Sequence, residues 1–128
     1  MKKILVVDDE PSVLGLAKHA LEEGGYEVHV CDTGRRALEE LARLRPDLLI
    51  LDVMLPGVDG FTVMGKISAD EDSRALAVIV FTALEAARVL FQKFPQVKAY
   101  VAKPFSPAEL LKTARAILEP DSAQAEPA

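Results

Sequence analysis

Short apolar runs rich in aliphatic and β-branched residues recur five times along the chain, at residues 4–7, 28–31, 48–51, 78–81 and 100–102. An amphipathic stretch follows each. Val13, Leu14, Ala17 and Leu21 fall at helical spacing, as do Ala37, Leu38, Leu41 and Ala42, then Phe61, Met64 and Ile67, and finally Leu110, Ala114, Ile117 and Leu118. Residues 84–94 read as a further helix with Ala87, Leu90, Phe91 and Phe94 on one stripe. The first, third and fourth runs are almost wholly apolar, as strands buried on both faces of a parallel sheet must be. The rhythm therefore predicts an α/β fold, a (βα)5 doubly wound three-layer sandwich. Pro11 and Pro107 suit first helical turns, and Gly24-Gly25 stop the first helix. From Pro120 onward no large apolar side chain occurs, so a domain over residues 1–119 and a short disordered tail over 120–128 are expected.

A chain of 128 residues has the size of one domain. Twenty acidic side chains against fifteen basic give a net charge of −5, a poor surface for phosphate backbones, so no direct nucleic-acid binding is expected. The lone Cys31 cannot form an internal disulfide and reads as a small buried hydrophobe. The longest uncharged stretch, residues 75–84, is about half of what a membrane span needs. The apolar run after Lys2-Lys3 stops at two aspartates, too early for a signal peptide. These features predict a soluble cytoplasmic domain with no membrane partner.

In an open parallel sheet the carboxyl ends of neighbouring strands open into one crevice. Those ends carry Asp8 and Asp9 after the first strand, Asp52 after the third, Thr82 after the fourth and Lys103 after the fifth. Two like charges about 4 Å apart repel by roughly 4 kcal/mol at an effective dielectric near 20, and one lysine cannot neutralise three carboxylates. A divalent cation would. Oxygen donors without nearby His or Cys select Mg²⁺, with Mn²⁺ as the alternative, over zinc. Such an ion can gather phosphoryl oxygens while Asp52 attacks phosphorus, with Lys103 and Thr82 binding the same oxygens.

At these residues the sequence resembles the receiver domains of two-component response regulators. The resemblance runs through Ile4-Leu5-Val6-Val7-Asp8-Asp9-Glu10, through Asp47-Leu48-Leu49-Ile50-Leu51-Asp52-Val53-Met54-Leu55-Pro56-Gly57 with Asp59-Gly60, through Val80-Phe81-Thr82-Ala83, and through Ala99-Tyr100-Val101-Ala102-Lys103-Pro104-Phe105. It implies a CheY-like flavodoxin-type sheet of order 2-1-3-4-5. It also implies Asp52 as phosphoacceptor, Mg²⁺ held by Asp9, Asp52 and the Met54 carbonyl with Asp8 acting through water, and a cis peptide at Lys103-Pro104. Tyr100 matches the aromatic that moves inward when the Thr82 hydroxyl follows the phosphoryl group. The implied partners are a sensor histidine kinase or phosphotransfer protein, and a downstream protein on the face of the fourth helix, fifth strand and fifth helix. Such a domain works as a monomer or a phosphorylation-dependent dimer, catalysing its own phosphorylation and dephosphorylation without being a turnover enzyme. Taken as complete, the chain would leave no room for an output domain.

Two departures stand out. Gln96-Val97-Lys98-Ala99 replaces a common Gly-Ala-Asp-Asp, so the fourth helix is expected to end near Pro95 without a glycine cap. Met54 and Leu84 are apolar where the family influences attacking water, which predicts slow self-dephosphorylation.

Simpler readings compete at single residues. Asp8, Asp9 and Glu10 before Pro11 resemble a helix N-terminus, Thr82 a cap, Lys103 a solvated lysine, and Asp59-Gly60 a turn and cap. His19 and His29 read as surface or boundary residues, and Val89 as a single exposed apolar side chain. Two other functions remain open. One is an aspartyl-phosphate hydrolase, disfavoured because Met54 replaces the second Asp that haloacid dehalogenase-type phosphatases want; the other is a receiver-like interaction module that never takes phosphate.

Overall fold

The computed structural model describes residues 1–82 and 87–120. Strands β1 (Lys3–Val7), β2 (Glu27–Cys31), β3 (Leu48–Asp52), β4 (Ala77–Thr82) and β5 (Val97–Ala102) alternate with helices α1 (Pro11–Glu23), α2 (Gly34–Leu44), α3 (Gly60–Ala69), α4 (Ala87–Phe91) and α5 (Pro107–Leu118). The strands form one sheet of order β2-β1-β3-β4-β5 with every pairing parallel. This is the expected fold and order.

Strand parity explains why the three central runs are apolar throughout. Leu5, Val7, Leu49, Leu51, Val78 and Val80 point to one face and pack with Ala37, Leu41, Val63, Met64, Ile67 and Phe91 from α2, α3 and α4. Their neighbours Ile4, Val6, Leu48, Ile50, Ile79 and Phe81 point to the other and pack with Ala17, Leu21, Leu110, Ala114 and Leu118 from α1 and α5. Two apolar cores thus sandwich the sheet, and both faces of β1, β3 and β4 are buried.

Local chemistry fixes the ends of the elements. Glu10 is the N-cap of α1 with Pro11 behind it, and the helix stops at Gly24, followed by Gly25 at a φ of 95° that suits glycine. The Thr33 hydroxyl accepts from the Arg36 N–H at α2, and the Asp59 carboxylate accepts from the Thr62 N–H at α3, at 3.1 and 2.8 Å. Asp59-Gly60 is therefore a cap, as its sequence suggests.

Three details differ from expectation. β5 begins at Val97, before the apolar run, because the register jumps from Val78↔Val97 to Ile79↔Ala99 and leaves Lys98 unpaired as an irregularity. Within the described residues α4 spans only Ala87–Phe91; residues 84–86 of the expected helix, Leu84 included, lie outside them. Phe94 reaches the core through a turn, its N–H donating to the Phe91 carbonyl, while Leu90 points outward and is 55% exposed. The buried residues of α4 are Ala87 and Phe91, four apart, and Leu90 lies at the edge of that stripe, facing out.

Gln96 gives the unusual 96–99 segment a structural role. Its buried carboxamide donates to the carbonyls of Ser73 (3.1 Å) and Leu76 (2.8 Å), and the Gln96 backbone carbonyl accepts from Val78 N–H at 2.9 Å. This side chain clamps the α3–β4 connection to the start of β5.

Candidate functional site

The carboxyl ends of β1, β3, β4 and β5 bring together the residues that the sequence placed there. Asp8 follows β1 and is fully buried, Asp52 and Thr82 are the last residues of β3 and β4 and are nearly so, and Lys103 follows β5. The Lys103 ammonium lies 2.5 Å from Asp8 Oδ2, 3.4 Å from Asp52 Oδ2 and 3.8 Å from Glu10 Oε1. The segment is tied to β4: Lys103 N–H donates to the Thr82 carbonyl at 3.1 Å and Phe105 stacks on Phe81 with ring centres 5.0 Å apart; the Lys103-Pro104 peptide is cis.

The electrostatics match the cluster. Burial, together with Asp8 beside it, pushes the Asp52 carboxyl up to about 6, against the pull of Lys103 and the Met54 N–H. For Lys103 burial works downward, but Asp8 and Asp52 outweigh it and hold the ammonium above its ordinary range. Asp8 Oδ1 accepts from Glu10 N–H at 3.0 Å, whereas the buried Asp8 Oδ2 has the Lys103 ammonium as its one partner among the described residues. Asp9 and Glu10 are exposed at the rim, and carboxylate oxygens of Asp8, Asp9 and Glu10 lie within 4.8 Å of one another. An under-satisfied buried carboxylate oxygen, two carboxylates beside it and an all-oxygen donor set fit a hard divalent cation such as Mg²⁺.

Met54 is exposed, and its N–H approaches Asp52 Oδ1 at 3.4 Å. Tyr100 is half-buried on the α2–α3–α4 side of the sheet, with the Arg88 guanidinium 5.2 Å from its ring centre. A hollow of about 380 Å³ beside Lys103 is floored by Val13, Leu16, Pro104 and Phe105. His19 is exposed and pairs with Glu23; His29 lies on the edge strand β2 next to Glu27; Cys31 is buried, its thiol pushed up to about 12 mainly by burial.

The residue reading did not give Glu10 a place beside Lys103. Gly60 it read only as part of a turn and cap, not as the point where a Cβ would lie 2.4 Å from the Asp52 carbonyl oxygen. The signal for Gly60 was its position directly after a capping Asp; the close approach itself depends on how α3 meets β3.

The sequence profile described as the response regulator receiver domain matches residues 4–115. The chain belongs to that family. The receiver domain is 38% identical over 119 residues to the DNA-binding dual master transcriptional regulator RpaA of Synechocystis sp. (strain ATCC 27184 / PCC 6803 / Kazusa), covering 92% of this chain and 49% of that protein. It thus spans about half the length of the curated relatives it matches. The chemotaxis response regulator CheY4 of Vibrio cholerae superposes with a TM-score of 0.85 at 28% identity, covering 91% of this chain and 98% of that one. The receiver domain of the sensor histidine kinase PA1611 from Pseudomonas aeruginosa PAO1, at 30% identity and a TM-score of 0.82 over 91% of this chain and 97% of that one, carries a magnesium ion coordinated in its active site cleft. Among the described residues of the receiver domain, no helix is long and apolar enough to cross a membrane.

Proposed function

We propose that Asp52 is the phosphoacceptor of this receiver domain. One Asp52 oxygen forms a bond to phosphorus as the bond to the donor's leaving group, the imidazole of a phosphohistidine or the acetate of acetyl phosphate, breaks and that group keeps the electron pair. Asp8, Asp9, Asp52 and the Met54 carbonyl would hold Mg²⁺, or Mn²⁺ in its place, which when bound neutralises charge developing on the phosphoryl oxygens. Lys103 and Thr82 bind these oxygens from the other side, and Tyr100 follows Thr82 inward as the switch. The observation that carries this reading is the Lys103 ammonium held between two buried carboxylates, one of them with an oxygen whose single partner is that ammonium.

Two or three new charged hydrogen bonds at about 1.5–3 kcal/mol each reach the roughly 5.5 kcal/mol needed to move a two-state domain from 1:99 to 99:1. Phosphorylation can therefore act as a population switch. The phosphodonor is a sensor histidine kinase or phosphotransfer protein, and the hollow at Val13, Leu16, Pro104 and Phe105 beside the site suits its apolar approach. The α4–β5–α5 face passes the signal to a downstream protein, the domain acting as a monomer or a phosphorylation-dependent dimer in the cytoplasm without direct nucleic-acid contact. Self-dephosphorylation is slow, because apolar Met54 flanks the site; Leu84, the other apolar residue in this expectation, lies outside the described residues.

Labelling with acetyl phosphate in Mg²⁺ is the test. A stable, stoichiometric adduct that Asp52→Asn abolishes supports the reading; rapid turnover indicates a hydrolase, and no adduct an inert module. Lys103→Ala should keep metal binding while uncoupling phosphorylation from the conformational response, and a loss of metal affinity as large as that of Asp9→Ala would remove Lys103 from that role.

A further inference from the structure

Tyr100 and Thr82 sit on neighbouring strands of one face of the sheet. Thr82 pairs in register with Ala102 and Tyr100 with Val80, so the two are diagonal neighbours two residues apart, both toward the side that α4 covers. From α4 the Arg88 guanidinium lies over the Tyr100 ring at 5.2 Å from its centre, within the range of a cation–π contact. In the structure the ring is thus in contact with α4 as well as seated on the sheet.

We propose that Arg88 is a positioning residue for the switch, whose stack on Tyr100 ties the aromatic to α4 and opposes its inward movement in the unphosphorylated domain. The inference rests on the phosphoacceptor reading above and adds to it a resting restraint built from this chain's own α4. Two consequences distinguish a restraint from mere packing. Removing the cation shifts the resting balance toward the inward arrangement, by about two- to five-fold for a contact of this kind. It also moves the Tyr100 phenol, which burial raises and Arg88 pulls back down, further up.

Tyr26 and Tyr100 are the two tyrosines of the chain, so 3-fluorotyrosine incorporation gives two fluorine resonances, assigned with Tyr100→Phe. These are followed with Mg²⁺ alone and with Mg²⁺ plus beryllofluoride, a phosphoryl mimic, in the wild type, Arg88→Ala and Arg88→Lys. The expected result is a Tyr100 resonance in Mg²⁺-only Arg88→Ala displaced toward its beryllofluoride position, a smaller displacement in Arg88→Lys, and a phenol titration raised in the alanine variant. A resonance that stays at the wild-type position in Arg88→Ala, with an unchanged beryllofluoride response, overturns the restraint. A wild-type Tyr100 resonance that ignores beryllofluoride while Asp52 still takes label overturns both switch and restraint, and failure of Asp52 labelling overturns the parent reading itself.

Discussion

At the scale of single residues, Asp52 is held in a place that its own ionised form disfavours. Its folded pKa of about 6 lies above the roughly 3.9 of an unfolded chain. Between about pH 4 and 6 the folded protein therefore binds the proton more tightly than the unfolded one, and stability falls as pH rises through that window. Asp52→Asn removes this dependence. In metal-free buffer at pH 7 the variant should be more stable than its parent by about 3 kcal/mol, the gap closing near pH 4, as thermal melts of both proteins across pH would measure. Equal melting at pH 7 would mean that the Asp52 carboxyl is not raised in the folded protein. The identities of Asp8, Asp52, Thr82 and Lys103 were legible in sequence because strand ends converge whatever their separation along the chain. Glu10 was not, because an acidic residue before Pro11 reads equally well as a helix cap, and only the folded position, with no side-chain cap bond and Lys103 at 3.8 Å, separates the two.

At the scale of elements, the site depends on how closely α3 meets β3. A Cβ at Gly60 would press on the Asp52 carbonyl oxygen and lie 2.9 Å from Val53 Cα, atoms of the backbone that cannot swing aside. Gly60→Ala should cost about 1–3 kcal/mol and slow labelling of Asp52, whereas Gly65→Ala, within the same helix and facing open space, should gain roughly 0.5–1 kcal/mol and leave labelling alone. Urea denaturation and acetyl phosphate kinetics on the pair check both. Gln96→Ala should cost about 1–3 kcal/mol by leaving the Ser73 and Leu76 carbonyls short of a donor, again read from urea curves. The sequence showed that residues 96–99 depart from the family's pattern but not what they do, since a buried glutamine announces its partners only once α3–β4 and β5 are side by side. For the same reason the helical stripe through Leu90 read too far: periodicity alone cannot tell where Phe94 leaves a helix for a turn.

For the whole molecule, an acidic site that takes a divalent ion would make stability depend on occupancy. Adding Mg²⁺ at pH 7 to a hundred times its dissociation constant should stabilise the wild type by about 2.7 kcal/mol, and Asp9→Ala by much less at the same concentration; equal melting shifts would place the ion elsewhere. The architecture itself was readable because the three central runs are apolar at every position, a pattern that few folds other than a doubly covered parallel sheet can accommodate. That pattern works like a reading frame. In β3, Leu49 and Leu51 belong to one core, Leu48 and Ile50 to the other, and Asp52 completes the run at the rim. Deleting one residue within the strand would exchange the two sets and pull the carboxylate out of its place at once. Length changes can therefore accumulate only in the loops, and the position of Asp52 is inherited with the core.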